Sequence, residues 1–169
     1  MKKIVIFLAS ALLTGNIVFA QTALKFGWLT SADLLQAMPE KAKADSDIAK
    51  YARSFQDQID IMMKEYQTKG QQYQANEKTM SDAMKEVRMK EIQDLQNRIE
   101  STQQSAQEKL QQKKQDVYAP ILDKADKAIQ AVAKEKNYDY VFDKSGGMLL
   151  FAKEADDIMP FVKAKLGIK

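Results

Sequence analysis

The sequence predicts an α+β protein that is mostly α-helical, with a small β body and a long antiparallel helical hairpin inserted into it. Two observations predict this fold. An apolar seam runs out along the chain, loses its pattern near residue 79 and runs back, with steps mostly of three or four residues, as on one helix face. Strand-like segments lie near both chain ends. Each arm of about 40 residues extends roughly 60 Å, so it projects from a body that the chain ends form.

The two seams come into register when the chain folds near residue 79. This register predicts four facing pairs: Ile59 with Ile99, Met62 with Leu95, Tyr66 with Ile92, and Ile48 with Leu110. Sliding one arm by a heptad also aligns the seams, so the match is not unique. Lys69 and Arg88 interrupt the seams and face one another in this register, which disfavours tight packing toward the tip. We expect the hairpin at 39–118, with its tip near 76–82 and with Thr79 and Ser81 as alternative N-caps of the returning helix.

Residues 1–20 have the pattern of a secretory signal peptide. Lys2 and Lys3 precede a short apolar stretch, and Val18 and Ala20 offer small side chains for cleavage after Ala20. The apolar stretch is short for a membrane span, although an uncleaved anchor is the alternative. The sequence therefore predicts export to the periplasm.

Composition narrows the function classes. Cleavage after Ala20 leaves 24 basic and 23 acidic residues, so the formal net charge falls from +3 to +1, and no concentrated basic face indicates nucleic acid. The chain has neither His nor Cys, which excludes the common zinc sites, disulfides and His-dependent nucleophiles. A mechanism that uses carboxylates alone remains formally possible, but no constellation supports it. We therefore expect no enzyme activity, cofactor or metal.

The β body is predicted at 21–38 and 119–169, with about three strands. These strands are 24–30, 138–143 and 148–152, and the last two form a hairpin across the turn at 144–147. Short helices follow the first strand and close the chain, and Pro120 should kink or restart the returning helix. A body of this size is marginal alone. We therefore expect oligomerisation to complete it and to bury one set of side chains: Phe26, Trp28, Val141, Phe142, Leu149 and Phe151.

The order of these elements resembles the Skp/OmpH family of periplasmic chaperones over essentially the whole mature chain. The resemblance is carried by the strand at 25–29, the hairpin arms, the segments 138–147 and 149–152, and the closing helix from Ala155 to Gly167. It implies a homotrimer in which a shared β body bears three helical tentacles around a cavity. The family holds unfolded outer-membrane β-barrel proteins there without ATP, until they reach the outer-membrane insertion machinery.

This chain departs in charge from the family's best-known member, which is strongly basic, since residues 40–118 contain 14 basic and 14 acidic side chains. Lipopolysaccharide binding, which needs a basic cluster, is therefore doubtful. Methionine suits weak, adaptable contacts with many unfolded chains. Met63, Met80 and Met89 lie off the seam, and we predict that they bind clients together with Tyr73. Met62 and Met84 lie on the seam, and the simpler interpretation is that they pack in the hairpin core. A structural coiled-coil spacer or scaffold of the cell envelope is the alternative function.

Overall fold

The structure is a computed structural model that describes residues 23–168, so the predicted signal peptide lies outside the described residues. Its helices are α1 (Ser31–Ala37), α2 (Pro39–Asn76), α3 (Asp82–Glu135) and α4 (Met159–Leu166), and its strands are β1 (Phe26–Leu29) and β2 (Tyr140–Asp143). Helices α2 and α3 form the long hairpin between the two strands. The predicted α+β, mostly helical architecture is therefore confirmed. No helix within residues 23–168 is long and apolar enough to cross a membrane.

The hairpin begins and turns where the sequence indicates. Pro39 occupies the first turn of α2, where its missing N–H is not needed. A short 3₁₀ turn, Glu77–Thr79, follows α2, and Ser81 caps α3 by accepting the N–H of Met84 at 3.3 Å. Of the two predicted caps, Ser81 is therefore the one that the chain uses.

The expectation that Pro120 restarts the returning helix is wrong. Helix α3 continues through Pro120 to Glu135. Pro120 and Asp116 are both exposed, so the carbonyl that loses its N–H donor has access to water. The flanking side chains Val117 and Ile121 pack against the core, and this packing outweighs the local preference of proline.

Asn137 lies just after the end of α3. Asn137 has a φ of 54°, in the left-handed region that Asn tolerates better than most residues. The N–H of Tyr138 reaches back to the carbonyl of Ala133 at 2.9 Å. This reversal sends the chain back along the body into β2.

The sheet differs from the predicted one. Within residues 23–168 it has two strands, and β1 and β2 run parallel, with Phe26 opposite Tyr140 and Leu29 opposite Asp143. The predicted strand at 148–152, and its hairpin with the preceding strand, are therefore wrong for the single chain. The chain that follows β2 instead passes to the side of β1. There the indole N–H of Trp28 donates to the carbonyl of Lys153 at 2.8 Å. The whole helical hairpin serves as the crossover that parallel strands need.

The main core lies where the strands, α1, α4 and the bases of the long helices meet. Its most buried side chains are Leu29, Leu34, Met38, Ile158 and Val162. Gly27 allows Ile158 to approach β1, because a Cβ at Gly27 would lie 2.8 Å from the Cγ2 of Ile158. The N–H of Ile158 in turn donates to the carbonyl of Trp28 at 2.9 Å. One edge of β1 is therefore occupied by the chain that leads into α4.

The turn after β2 caps α1 from a distant part of the sequence. The carboxylate of Asp143 accepts the Ser31 N–H at 3.0 Å and the Ser31 hydroxyl at 2.5 Å, and the Ser145 hydroxyl accepts the N–H of Ala32 at 3.0 Å. Partial burial would raise the pKa of Asp143. The hydrogen bonds from Ser31 and Ser145 outweigh burial and hold that pKa well below its usual value.

Candidate functional site

Polar contacts clamp the two arms together where they leave the body. The hydroxyl of Tyr118 in α3 donates to Asp45 in α2 at 2.5 Å, and Lys41 donates to the same carboxylate at 2.7 Å. These two bonds, with that from Lys41 the stronger influence, lower the pKa of Asp45. Lys124 also pairs with Glu40 across the helices. The base of the hairpin is therefore fixed by side chains from both arms.

Apolar packing takes over in the middle of the arms. Met62, Leu95 and Ile99 are buried there, and Ile59 and Tyr66 pack against them. The cluster contains both members of two predicted pairs, Ile59 with Ile99 and Met62 with Leu95. This second cluster is much smaller than the core of the body.

A shared carboxylate replaces apolar contact nearer the tip. Glu91 lies 3.1 Å from the Nζ of Lys69 and 3.0 Å from the guanidinium of Arg88. The hydrogen bonds from Lys69 first and Arg88 second lower the pKa of Glu91. The two residues that interrupt the seam therefore meet through an acid that the sequence analysis did not single out. All three side chains remain partly exposed, so this bridge adds little stability.

The polar bridge borders a small cavity between the arms, of about 280 Å³. Two of the predicted client-binding residues, Tyr73 and Met80, line it together with Ile92 and are half-buried. The structure brings Tyr73 of α2 and Met80 of the tip turn to the same cavity.

The other two predicted client-binding residues face solvent. Met63 is 39% exposed and Met89 is 58% exposed. Met84 is also exposed, at 46%, so the assignment of this residue to the hairpin core is wrong. Two further apolar side chains on the distal arms were missed, namely Ile61 and Val87. The sequence feature that could have identified them as exposed is their position off the seam. We call these five residues the arm surface: Ile61, Met63, Met84, Val87 and Met89.

Five of the six predicted interface residues lie together on the outer face of the sheet. They border a groove of about 380 Å³, called here the body groove, which is lined by Phe26, Trp28, Phe142, Leu149 and Phe151. Phe26 stacks on Tyr140 at 5.8 Å between ring centroids, and Phe151 is 79% exposed. The sixth residue, Val141, lies on the opposite face of the sheet and packs against the core. Period-two alternation along β2 explains the separation.

The body groove and the arm surface offer mainly apolar contacts. Within residues 23–168, no cluster of acidic side chains is arranged to hold a metal ion. The carboxylates with lowered pKa values pair with lysines, an arginine, a tyrosine or serines that hold elements together. What remains available to another molecule is the arm surface, the cavity near the tip and the grooves of the body.

Comparison with known proteins identifies the family of this chain. The family model described as "Outer membrane protein (OmpH-like)" matches residues 25–166. The chain belongs to the OmpH-like family. A solved structure from Caulobacter crescentus, assigned as a candidate outer membrane chaperone of the OmpH-like type, has 15% identity and a TM-score of 0.75. The match covers 85% of this chain and 83% of that one, and shows that the two share a fold. No curated protein matches the sequence. The OmpH-like match includes both strands, both arms and α4.

Proposed function

We propose that this protein is an ATP-independent periplasmic holdase, which binds unfolded outer-membrane β-barrel proteins between its arms and prevents their aggregation. The observation that carries the proposal is the arm surface, where large apolar side chains stay exposed on long, charge-balanced helices. Exposed apolar patches are typical of a binding surface. Membership of the OmpH-like family supports the same class of function.

The residues of the arm surface suit weak binding of many sequences. Three of the five are methionines, whose unbranched side chains adapt to different partners. Equal numbers of acidic and basic residues along the arms disfavour clients held mainly by charge, and also disfavour lipopolysaccharide. Release to the insertion machinery of the outer membrane then needs no energy source, because each contact is weak.

Self-association is part of the proposal. The body groove exposes aromatic side chains on the outer face of a two-stranded sheet, and such a sheet is marginal alone. We infer a homotrimer in which bodies share these faces and the arms enclose a cavity. Changing both Trp28 and Phe151 to Asp should produce monomers. A trimer mass that survives both changes would place the interface elsewhere.

Light scattering tests the holdase directly. A urea-unfolded outer-membrane β-barrel protein is diluted into buffer without nucleotide, with and without the protein. We expect suppressed aggregation near one trimer per client. Met63→Gln with Met89→Gln should weaken the suppression, because glutamine keeps the size of methionine but removes its apolar contact. Gln103→Met serves as a control, since it adds a methionine nearer the base of the same helix. Undiminished aggregation with several clients would favour the structural spacer instead.

A further inference from the structure

We propose that the small cavity near the tip of the hairpin, called here the tip cavity, binds the carboxyl terminus of an unfolded client. It would take the terminal carboxylate together with an apolar last side chain. The tip cavity has a volume of about 280 Å³ and is lined by residues of both arms and of the turn between them. This inference rests on the proposed function and names one chemical feature of the clients that the arms recognise.

Part of the lining of the tip cavity is apolar. Tyr73 comes from α2, Met80 from the tip turn and Ile92 from α3, and all three are half-buried. An apolar cavity of roughly 150 Å³ is enough to hold benzene, so the tip cavity has room for the ring of a phenylalanine side chain. Because the three side chains stay partly exposed, a chain can reach them from solvent.

The charged part of the lining has an excess of positive charge. Lys69 and Arg88 supply two cations, and Glu91 supplies one carboxylate. Lys69 lies 3.1 Å from Glu91 and 3.9 Å from Glu65, so its charge is already shared between two acids. Arg88 donates to Glu91 through one terminal nitrogen at 3.0 Å, and 47% of its side chain is exposed. A guanidinium has five N–H donors, so Arg88 can donate to a second carboxylate.

The small size of the tip cavity favours a chain terminus over an internal acidic residue. In an extended chain, neighbouring side chains point to opposite faces, and the next side chain on the same face lies about 7 Å along the chain. An internal acidic residue beside an aromatic one therefore turns its carboxylate away from the ring. A terminal residue carries its side chain and its carboxylate on one Cα, so both groups reach the cavity together. Capture of a terminal carboxylate is a recurring mode of peptide recognition.

Peptide binding tests this assignment. A short fluorescein-labelled peptide of glycine and serine that ends in phenylalanine is titrated with the mature protein at physiological ionic strength, and fluorescence anisotropy measures the dissociation constant. We expect the free acid to bind about tenfold more tightly than the amide, because the amide lacks the charge that Arg88 binds. A third peptide, with an amidated end and an internal phenylalanine–aspartate pair, should bind no better than the amide. Equal binding of acid and amide, or an internal pair that binds as tightly as the free acid, would overturn the proposal.

A variant of Arg88 separates direct binding from a structural role. Arg88→Gln should abolish the preference for the free acid and leave the affinity for the amide unchanged, whereas a collapsed cavity would weaken both peptides. Lys90→Gln removes an exposed cation from the same helix outside the lining, and should change neither affinity. A preference that survives Arg88→Gln, or an equal loss with both peptides, would overturn the role given to Arg88 and with it the proposal.

A variant of Met80 tests the apolar part of the site. Met80→Ser should lower the preference for phenylalanine over glycine at the end of the free acid by about fivefold, because it removes apolar contact with the ring. The preference for acid over amide should remain. Met148→Ser, at a methionine of the body that is 91% exposed, is the matched control. An undiminished preference for phenylalanine in Met80→Ser would show that the ring does not enter the cavity, and would overturn the proposal.

The outcomes separate this inference from the proposed function. In the light-scattering assay, a client whose last residue is aromatic is compared with the same client extended by a glycine–serine tail. The extended client should need about two- to threefold more protein for the same suppression, since only one of several contacts is lost. Equal suppression of the two clients would overturn the role of the tip cavity in client binding and leave the holdase standing. Suppression of neither client would overturn the proposed function, whereas the peptide titration alone decides what the cavity binds.

Discussion

The base of the molecule and the distal half of its arms are held together in different ways. At the base, strands and helices enclose side chains such as Leu34, Ile158 and Val162 that have no exposed surface. Beyond Leu95 the arms meet through a shared carboxylate and a small cavity. The comparison indicates that the base sets the shape, while the distal arms leave the apolar side chains exposed that the proposed client binding requires.

The largest expected difference between the two regions comes from matched leucine deletions. Leu34→Ala in the base should lower the free energy of unfolding by about 3–5 kcal/mol, since the enclosed site cannot collapse. Leu95→Ala in the arms should cost about 2–3 kcal/mol, because a seam of two helices can close around the gap. Urea unfolding is followed by far-UV circular dichroism and by Trp28, the only tryptophan and a probe of the body. Ile61→Ala, at an exposed position, is the control. Equal losses for the two leucines would contradict the difference.

Two glycines give the next contrast, because replacing each with alanine should change the free energy of unfolding in opposite directions. Gly27→Ala should lower the free energy of unfolding by about 1–3 kcal/mol, because its Cβ would meet Ile158 at 2.8 Å and Tyr138 at 3.1 Å. Gly70→Ala should raise it by about 0.5–1 kcal/mol, because the site is open and alanine favours the helix. Thermal unfolding measures both.

Gly70→Ala also tests whether this glycine lets the arm bend around clients. If it does, the stabilised variant should hold a narrower range of client sizes in the light-scattering assay. Unchanged capacity for small and large clients would show that Gly70 does not control bending of the arm. The expected effect of Gly70→Ala on stability would not be altered.

The arms could be predicted because the sequence patterns that specify them are local and periodic. The seam that pairs Met62 with Leu95 repeats at helical spacing, and a cap such as Ser81 acts within one turn. Contacts between residues that are distant in sequence left no such signal. Neither the carboxylate of Glu91 between two cations nor the cap that Asp143 provides for α1 has a periodic signature.

The two errors in the body have a common physical cause, which is that tertiary contacts decide between locally similar outcomes. Pro120 does not end α3, because residues on both sides of it pack against the core. The segment 148–152 has the composition of a strand but finds no free strand edge within reach in its own chain. The same period-two pattern that predicted the strand places Leu149 at the body groove and leaves Leu150 exposed.

A smaller effect is expected from the cap on α1. Asp143→Asn removes the charge that three donors stabilise, and should cost on the order of 1 kcal/mol near neutral pH, given the solvent exposure of the site. The folded-state pKa of Asp143 is lowered, so its contribution is complete above the unfolded-state value near 3.8 and declines as the pH falls below it. The gap between wild type and variant should therefore narrow between about pH 4 and pH 2. A gap that does not vary with pH would show that the charge is irrelevant.

The smallest expected effect is local to the tip and concerns Glu91. Glu91→Gln removes the charge that joins Lys69 to Arg88 across the seam, so the arms should separate more often near the tip. Hydrogen exchange should accelerate in peptides from 66–76 and 82–92, while peptides from the body stay unchanged. Because the pKa of Glu91 is lowered, the wild-type bridge is intact at neutral pH and weakens in acid, where the two proteins should converge. Glu86→Gln, an exposed change on the same helix, should have no effect. If Glu91→Gln exchanges like the wild type, the distal arms are held by something other than this bridge, and the contrast with the base loses its clearest element.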